Sequence, residues 1–192
     1  MPYIKFDTIT STNDFLKSYC KTRELPDFFY VLAEQQTKGR GQSTKTWQSD
    51  CCKNILLSIY LHPEMALKDQ NILSQIVALS IVKVLQKFNI PAIKIKLPND
   101  ILADGKKIAG ILIENSLQQQ NWKHSIIGIG LNVLQTEFED LPHATSMKTL
   151  TGQDFDRSEI VNCLLKQLKI YYKKPVTEVT AEFNKYLQKI TL

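Results

Sequence analysis

The stretch Lys96-Leu97-Pro98-Asn99-Asp100-Ile101-Leu102-Ala103-Asp104-Gly105-Lys106-Lys107-Ile108-Ala109-Gly110-Ile111-Leu112-Ile113-Glu114 decides the fold. Asp104-Gly105 is a strong hairpin signal, because a tight turn of the twisted-strand type needs positive φ at both central residues. The apolar runs on either side read as strands near 100–103 and from Lys107 to Glu114. A third short strand near 92–96 precedes them, and Pro98-Asn99-Asp100 supplies the turn chemistry between. Strands joined this tightly pair antiparallel, since parallel neighbours need a long crossover.

Outward from this hairpin, Asn71–Phe88 carries Ile72, Leu73, Ile76, Val77, Leu79, Val82, Val84 and Leu85 with few breakers. That pattern predicts a long, largely buried helix. Phe28–Ala33 is a continuous apolar run and reads as a buried strand, Ile55–Leu61 is another strand, and residues 3–8 alternate weakly and read as a short strand. Ser11-Thr12-Asn13-Asp14 offers N-capping groups for a helix through about Arg23. Residues 36–53 are polar, with two glycines, and form a loop of a length that is usually functional. On the C-terminal side, residues 122–131 read as a strand and 133–145 as a loop containing Pro142. Helices are predicted near 157–172 and 177–188, with Pro175 in the break. The expected fold class is α+β: a mixed, mainly antiparallel sheet with flanking helices, not a doubly wound parallel sheet. No repeat, low-complexity segment or linker divides residues 1–192, so one domain is expected.

Composition narrows the function. The chain has 192 residues, 43% hydrophobic and 22% charged, which is an ordinary globular balance. Its net charge of +5 suits an anionic ligand such as a nucleoside triphosphate, or an acidic partner. The lysines are dispersed, without a run of like charge or interleaved aromatics, so nucleic-acid binding is not indicated. No apolar run reaches the length of a membrane span, and the N-terminus lacks a signal-peptide core. Cys20, Cys51, Cys52 and Cys163 form neither a C-x-x-C pair nor a disulfide framework, so reduced thiols and a cytoplasmic setting are expected. His62, His124 and His143 are scattered and show no metal-ligand spacing.

Three segments carry candidate chemistry. The first is Gln36-Thr37-Lys38-Gly39-Arg40-Gly41-Gln42-Ser43-Thr44-Lys45-Thr46-Trp47, where two glycines flank an arginine and lysines add charge. Such a loop can bring backbone N–H groups close to an anion. It is neither a P-loop nor a dinucleotide fingerprint, because Thr44 stands where either would need glycine. Alone it reads equally as a flexible surface loop. The second is Lys107, which opens an apolar strand; its ammonium either snorkels to solvent or meets an anion in a cleft. The third is Gly128-Ile129-Gly130-Leu131-Asn132, whose alternating glycines mark close approach by a ligand or backbone, or tight sheet packing.

In this order and at these separations, Ser11-Thr12-Asn13, Gly39-Arg40-Gly41 with Trp47, Pro98-Asn99-Asp100, Lys107 with Gly110, and Gly130-Leu131-Asn132 resemble the catalytic domain of biotin–protein ligases. The resemblance runs from about residue 4 to about residue 190. It implies a fold like that of class II aminoacyl-tRNA synthetases and biotin/lipoate ligases. It also implies biotin and ATP as substrates, Mg²⁺ carried by the ATP phosphates with no protein metal site, and no tightly bound prosthetic group. The expected acceptor is a biotin carboxyl carrier protein, a subunit of acetyl-CoA carboxylase. DNA or membrane partners are not expected, and a homodimer stays open.

Carried over by resemblance, Ser11, Thr12, Asn13 and Gln36 would hold biotin. Hydroxyl and amide groups suit its neutral, polar ureido ring. Arg40, Gly41 and Gln42 would cover the biotin carboxylate and nucleotide phosphate. Lys107, with Gly110 on the same strand, would sit at the carboxylate and α-phosphate, so Lys107 and Arg40 are the expected catalytic pair. Gly39, Trp47, Asn99, Asp100 and Asn132 would line the nucleotide side, Trp47 shielding adenine. The sequence departs from the family at Gln42, where arginine is common, and at Leu97, where tryptophan is usual. The chain also stops where the family's small C-terminal β-barrel would begin, in a truncated or a minimal form, and leaves no room for a DNA-binding segment, so repressor function is not expected. A lipoate or octanoate ligase or transferase, and a non-catalytic biotin binder, are the alternative readings.

Overall fold

The computed structural model of the chain describes residues 1–43, 45–118, 121–139 and 141–188. Its elements are β1 (Tyr3–Ile9), α1 (Thr12–Tyr19), β2 (Tyr30–Gln36), β3 (Ile55–Leu61), α2 (Gln70–Lys87), β4 (Ile93–Lys96), β5 (Asp100–Ala103), β6 (Lys106–Gln118), β7 (Asn121–Leu131), α3 (Met147–Thr151), α4 (Arg157–Tyr172) and α5 (Val176–Tyr186). They fall into two compact units, Met1–Gln70 with Ile111–Leu131, and Asn71–Gly110 with Asn132–Leu192. Among the described residues, no helix is long and apolar enough to cross a membrane.

The first unit is built on a mixed sheet. β1 runs parallel to β2, with Tyr3 opposite Tyr30 and Ile9 opposite Gln36. β2 and β3 are antiparallel, as are β3 and β7, with Ile55 opposite Leu131. β3 reads Ile-Leu-Leu-Ser-Ile-Tyr-Leu and is buried at every position, including its one serine, Ser58. α1 lies against β2, β3 and β7. Its Leu16 joins Leu25, Phe29, Val31, Tyr60 and Ile126 in a core flanked by Phe6, Phe15 and Tyr19. Those flanking rings meet edge-on (Phe6–Phe15, 4.8 Å between centroids) and stacked (Phe15–Tyr19, 5.2 Å).

Two boundaries differ from the sequence expectation for packing reasons. α1 stops at Tyr19 and not near Arg23; the Cys20 N–H donates to Leu16 O, and the chain turns so that Leu25 enters the same core. β2 starts at Tyr30 and not at Phe28, because Phe28 adopts φ 62° and donates its N–H to Tyr60 O. The strand then continues to Gln36, so the loop begins later than expected.

In the second unit, β4 pairs antiparallel with β5 and β5 with the start of β6. Asp104 and Gly105 both have positive φ (49° and 73°), the geometry their dipeptide predicts for a hairpin. α2 buries Leu73, Ile76, Val77, Leu79, Ile81, Val82, Val84 and Leu85, α4 buries Ile160, Leu164, Leu165 and Leu168, and α5 buries Val179 and Phe183. Polar links tie these helices at their margins: Lys83–Glu182 at 2.7 Å, Lys87–Glu159 at 2.9 Å, and Thr180 Oγ1 to Gln75 Oε1 at 3.1 Å. Such partly exposed pairs fix orientation more than they stabilise. The short α3 was not expected. Ser146 caps it by accepting from the Thr149 N–H, and Gly152 ends it at φ 72°.

Candidate active site

In the first unit, the turn into α1 and the end of β2 assemble a polar set. Ser11 serves as N-cap, its Oγ accepting from the Asp14 N–H at 3.3 Å. The Thr12 N–H and hydroxyl both donate to Gln36 Oε1, at 2.7 and 3.0 Å. The buried Ser58 hydroxyl, from the middle of β3, approaches both Thr12 Oγ1 (2.8 Å) and Asn13 Oδ1. Its single hydrogen can serve only one of these acceptors at a time. Asn13 Nδ2 donates to Glu114 Oε2 at 3.0 Å. Ser11, Thr12, Asn13 and Ser58 are buried, so these amide and hydroxyl groups are held in place.

The Gly39–Trp47 segment is ordered by its own backbone. Trp47 N–H donates to Gly39 O (2.9 Å), Arg40 and Thr46 form an antiparallel bridge, and Gly41 N–H donates to Lys45 O (2.8 Å). Residues 39–43 and 45–47 thus form a small two-sided strap; Thr44 lies outside the described residues. The Gly41 N–H, expected near an anion, is engaged within the strap. Gly39 is required by crowding: a Cβ there would stand 2.5 Å from Trp47 O. Gln42 is exposed.

Arg40 is held by two carboxylates. Nη1 reaches Asp14 Oδ1 at 2.5 Å, and the guanidinium grips Glu114 through Nη1 (3.2 Å) and Nη2 (3.1 Å). Lys17 Nζ adds a contact to Glu114 at 3.3 Å. Burial acts to raise the Glu114 pKa, but the Asn13 and Arg40 hydrogen bonds and the neighbouring positive charges outweigh it, so the carboxyl titrates below its ordinary value. Burial acts to lower the Arg40 pKa, and its bonds to Asp14 and Glu114 reverse the sign.

Side chains crowd the alternating glycines of β7. A Cβ on Gly128 would stand 2.5 Å from Asn13 Oδ1, and one on Gly130 would stand 2.4 Å from Trp47 Cε2. The Trp47 indole therefore lies flat on Gly130, and Asn13 reaches across Gly128.

In the second unit, Lys107 is locked at its backbone. Its N–H donates to His143 O (2.7 Å) and its C=O accepts from the Thr145 N–H (2.9 Å), a parallel bridge centred on Ala144. Its ammonium lies 2.6 Å from Asp100 Oδ1. Both side chains are about one-quarter to one-third exposed (35% and 25%), so the lysine meets a carboxylate instead of extending fully into solvent. Asp100 is opposite Gly110 in the β5–β6 pairing. Asn99, half-buried, precedes it in the Pro98 turn. Asn132 is buried, with its N–H donating to Ile108 O and its Nδ2 to Thr145 O at 3.0 Å. Its Oδ1 and the Oγ1 of Thr145 are buried without a hydrogen-bond partner. Among the described residues, no group of three or more His, Cys, Asp or Glu could hold a metal ion.

Sequence reasoning missed Asp14, Ser58, Glu114 and Thr145. Ser58 was detectable as the one small polar residue in the Ile55–Leu61 run, and Glu114 as the carboxylate that ends the apolar run 108–113. Asp14 looked like ordinary capping chemistry, and nothing marked Thr145 in its loop.

Comparison with known proteins places these observations. The family model for the Biotin/lipoate A/B protein ligase family matches residues 5–132. The bifunctional ligase/repressor BirA of Bacillus subtilis is 30% identical over 190 residues, covering 91% of this chain and 58% of the relative. A biotin–[acetyl-CoA-carboxylase] ligase of Mycobacterium tuberculosis is 32% identical, with 91% of this chain and 66% of the relative covered. This chain spans a little under six-tenths of the length of the BirA relatives from Bacillus that it matches. The solved biotin protein ligase from Aquifex aeolicus in complex with biotin and ATP superposes with a TM-score of 0.83 at 27% identity, over 97% of this chain and 78% of that one. The mixed sheet with flanking helices is thus the fold of biotin protein ligase catalytic domains. With the family model matching residues 5–132, about two thirds of the chain, and its fold matched over nearly its whole length, the chain belongs to the biotin/lipoate A/B protein ligase family.

Proposed function

We propose that this chain is an ATP-dependent biotin–protein ligase. It forms biotinyl-AMP from biotin and ATP and passes the biotinyl group to a lysine of a biotin carboxyl carrier protein; the name of the Mycobacterium tuberculosis relative gives acetyl-CoA carboxylase as the protein it acts on. The observation that carries the nucleotide half of this reading is the pair of buried, unpartnered oxygens, Asn132 Oδ1 and Thr145 Oγ1, next to the backbone-locked Lys107. A buried acceptor left without a donor costs about 1–3 kcal/mol. A ligand that brings N–H groups, as adenine does, offsets that cost. The biotin half is supported by the hydroxyl and amide set of Ser11, Thr12, Asn13 and Gln36, whose neutral groups match a ureido ring.

In the first step the biotin carboxylate oxygen attacks the α-phosphorus of ATP, a P–O bond forms, and pyrophosphate leaves with the electron pair. Two anions must meet, so charge neutralisation and alignment are the main requirements. Lys107 supplies an ammonium at the α-phosphate by exchanging its Asp100 contact for a phosphate oxygen. Arg40 does the same at the carboxylate by leaving Asp14 and Glu114. Mg²⁺ would be held largely by the triphosphate oxygens and would supply charge neutralisation there, with Asp100 the nearby carboxylate that could share in holding it. Trp47 and the Gly39–Trp47 strap shield the mixed anhydride from water. In the second step the acceptor amine attacks the acyl carbon, and AMP leaves as the C–O bond breaks. No covalent enzyme intermediate is required.

The test is to combine the chain with ATP, Mg²⁺, biotin and a biotin carboxyl carrier domain and weigh the carrier. A mass gain equal to one biotinyl group, dependent on ATP, is expected. A carrier of unchanged mass in the presence of both substrates contradicts ligation, and a gain with lipoate but not biotin reassigns the acid within the family.

A further inference from the structure

The segment Asp50-Cys51-Cys52-Lys53 takes no part in the site described above. Both cysteines are exposed thiols. Their sulfurs are 2.9 Å apart. Neighbouring side chains of an extended segment point to opposite faces, so adjacent thiols ordinarily stay apart. Here the backbone turns: Cys52 has φ 64°, a left-handed conformation unusual for a residue with a side chain. That turn brings the second sulfur back onto the first. The turn is also anchored, because the Cys52 N–H donates to Glu34 O on β2 at 3.1 Å and the buried Asn54 donates to Ser49 Oγ at 3.1 Å.

We propose that Cys51 and Cys52 form a vicinal-dithiol modification site that exchanges with small-molecule disulfides of the glutathione class. One cysteine, as thiolate, attacks a sulfur of the disulfide and expels one thiolate, giving a mixed disulfide on the protein. The other cysteine, having given its proton to solvent, attacks the protein sulfur of that mixed disulfide and expels the second small thiolate. The protein thiols are oxidised to an intrachain disulfide between adjacent residues, and the small disulfide is reduced to two thiols. The remaining cysteines meet other groups. Cys20 Sγ faces His124 Nε2 at 3.6 Å, and Cys163 Sγ faces Lys87 Nζ at 3.0 Å. Each meets nitrogen where Cys51 meets sulfur.

Ring closure acts on the attachment of the strap. Residues 48–54 join Trp47 to β3, and their hydrogen bonds to Glu34 and within the turn depend on the present backbone path. The oxidised chain is therefore expected to exchange the Cys52 amide hydrogen faster than the reduced chain. An effect on ligation rests on the function proposed above; the exchange chemistry does not.

The experiment uses the full chain, glutathione disulfide, acid quenching and tryptic digestion. Cleavage after Lys45 and Lys53 yields one peptide, Thr46–Lys53, holding both cysteines. The expected result is loss of two hydrogen masses from that peptide, reversed by dithiothreitol. In C52S the same peptide is expected to keep a stable glutathione adduct on Cys51, since the resolving thiol is gone. A wild-type peptide that carries glutathione without closing, or stays unmodified while Cys20 or Cys163 reacts, overturns the proposal.

Discussion

Gly130→Ala places one methyl group where the structure leaves no room. The added Cβ would stand 2.4, 2.6 and 2.7 Å from Trp47 Cε2, Cζ2 and Cδ2. Carbon atoms rest at about 3.5 Å or more, so the indole must retreat by about 1 Å. The ring is rigid, and three of its atoms are involved, so no side-chain tip can swing aside. The strap has little slack either, because the Trp47 N–H is bonded to Gly39 O and a Cβ at Gly39 would meet Trp47 O. Overpacking of this kind costs about 1–3 kcal/mol. Alanine also stiffens the unfolded chain, which returns about 0.4–1 kcal/mol where the native backbone is compatible. The net expectation is a loss of about 1–2 kcal/mol, or a drop in Tm of a few degrees at about 2–4 °C per kcal/mol for a chain of this size. Urea unfolding followed by tryptophan fluorescence reads both the stability and the indole's surroundings, with Trp122 replaced by phenylalanine in both chains to isolate the signal. The emission maximum should shift as Trp47 leaves the sheet, and nucleotide affinity should fall with it. An unchanged midpoint together with an unchanged emission maximum would refute the packing of Trp47 on Gly130.

The remaining predictions concern the polar groups. Thr145→Val removes a buried hydroxyl that has no partner, so ligand-free stability should hold or rise by up to about 1–3 kcal/mol. Its nucleotide affinity should nevertheless fall; calorimetry showing intact affinity removes Thr145 from the site. The Glu114 carboxyl is held below its ordinary value of 4.5 when folded, so its contribution is fully present above that pH and is lost as pH falls through the lower folded value. Melting temperature measured from neutral to acidic pH should therefore fall less steeply on the acid side in Glu114→Gln than in the parent, and parallel curves would contradict the assignment.

Much of the fold was legible because local chemistry and tertiary packing agree. Asp104-Gly105 requires positive φ and adopts it, and the apolar periodicity of α2 becomes a buried helix. The unread parts are those where a distant partner decides. Phe28 looks like strand, yet its N–H is taken by Tyr60 from β3, and α1 is cut short by the burial of Leu25. α3 is too short for periodicity to reveal, although Ser146 and Gly152 mark its ends. At the site, residue types suggested Arg40 and Lys107 and offered an anion for the Lys107 ammonium, but not that Asp100 would supply it or that Asp14 and Glu114 would hold Arg40. Glu114 lies 74 positions from Arg40, and that pairing exists only after the sheet forms. The glycines of β7 are legible as points of close approach, while what approaches them, Asn13 and Trp47, is set only by the folded chain.

The most direct measurement of the central claim is biotin-dependent exchange of labelled pyrophosphate into ATP, compared between the parent chain and Lys107→Ala, with circular dichroism confirming the fold of each. Exchange is expected in the parent, and its near-abolition in the variant at unchanged secondary structure. Equal exchange in both chains would contradict the role of the Lys107 ammonium at the α-phosphate.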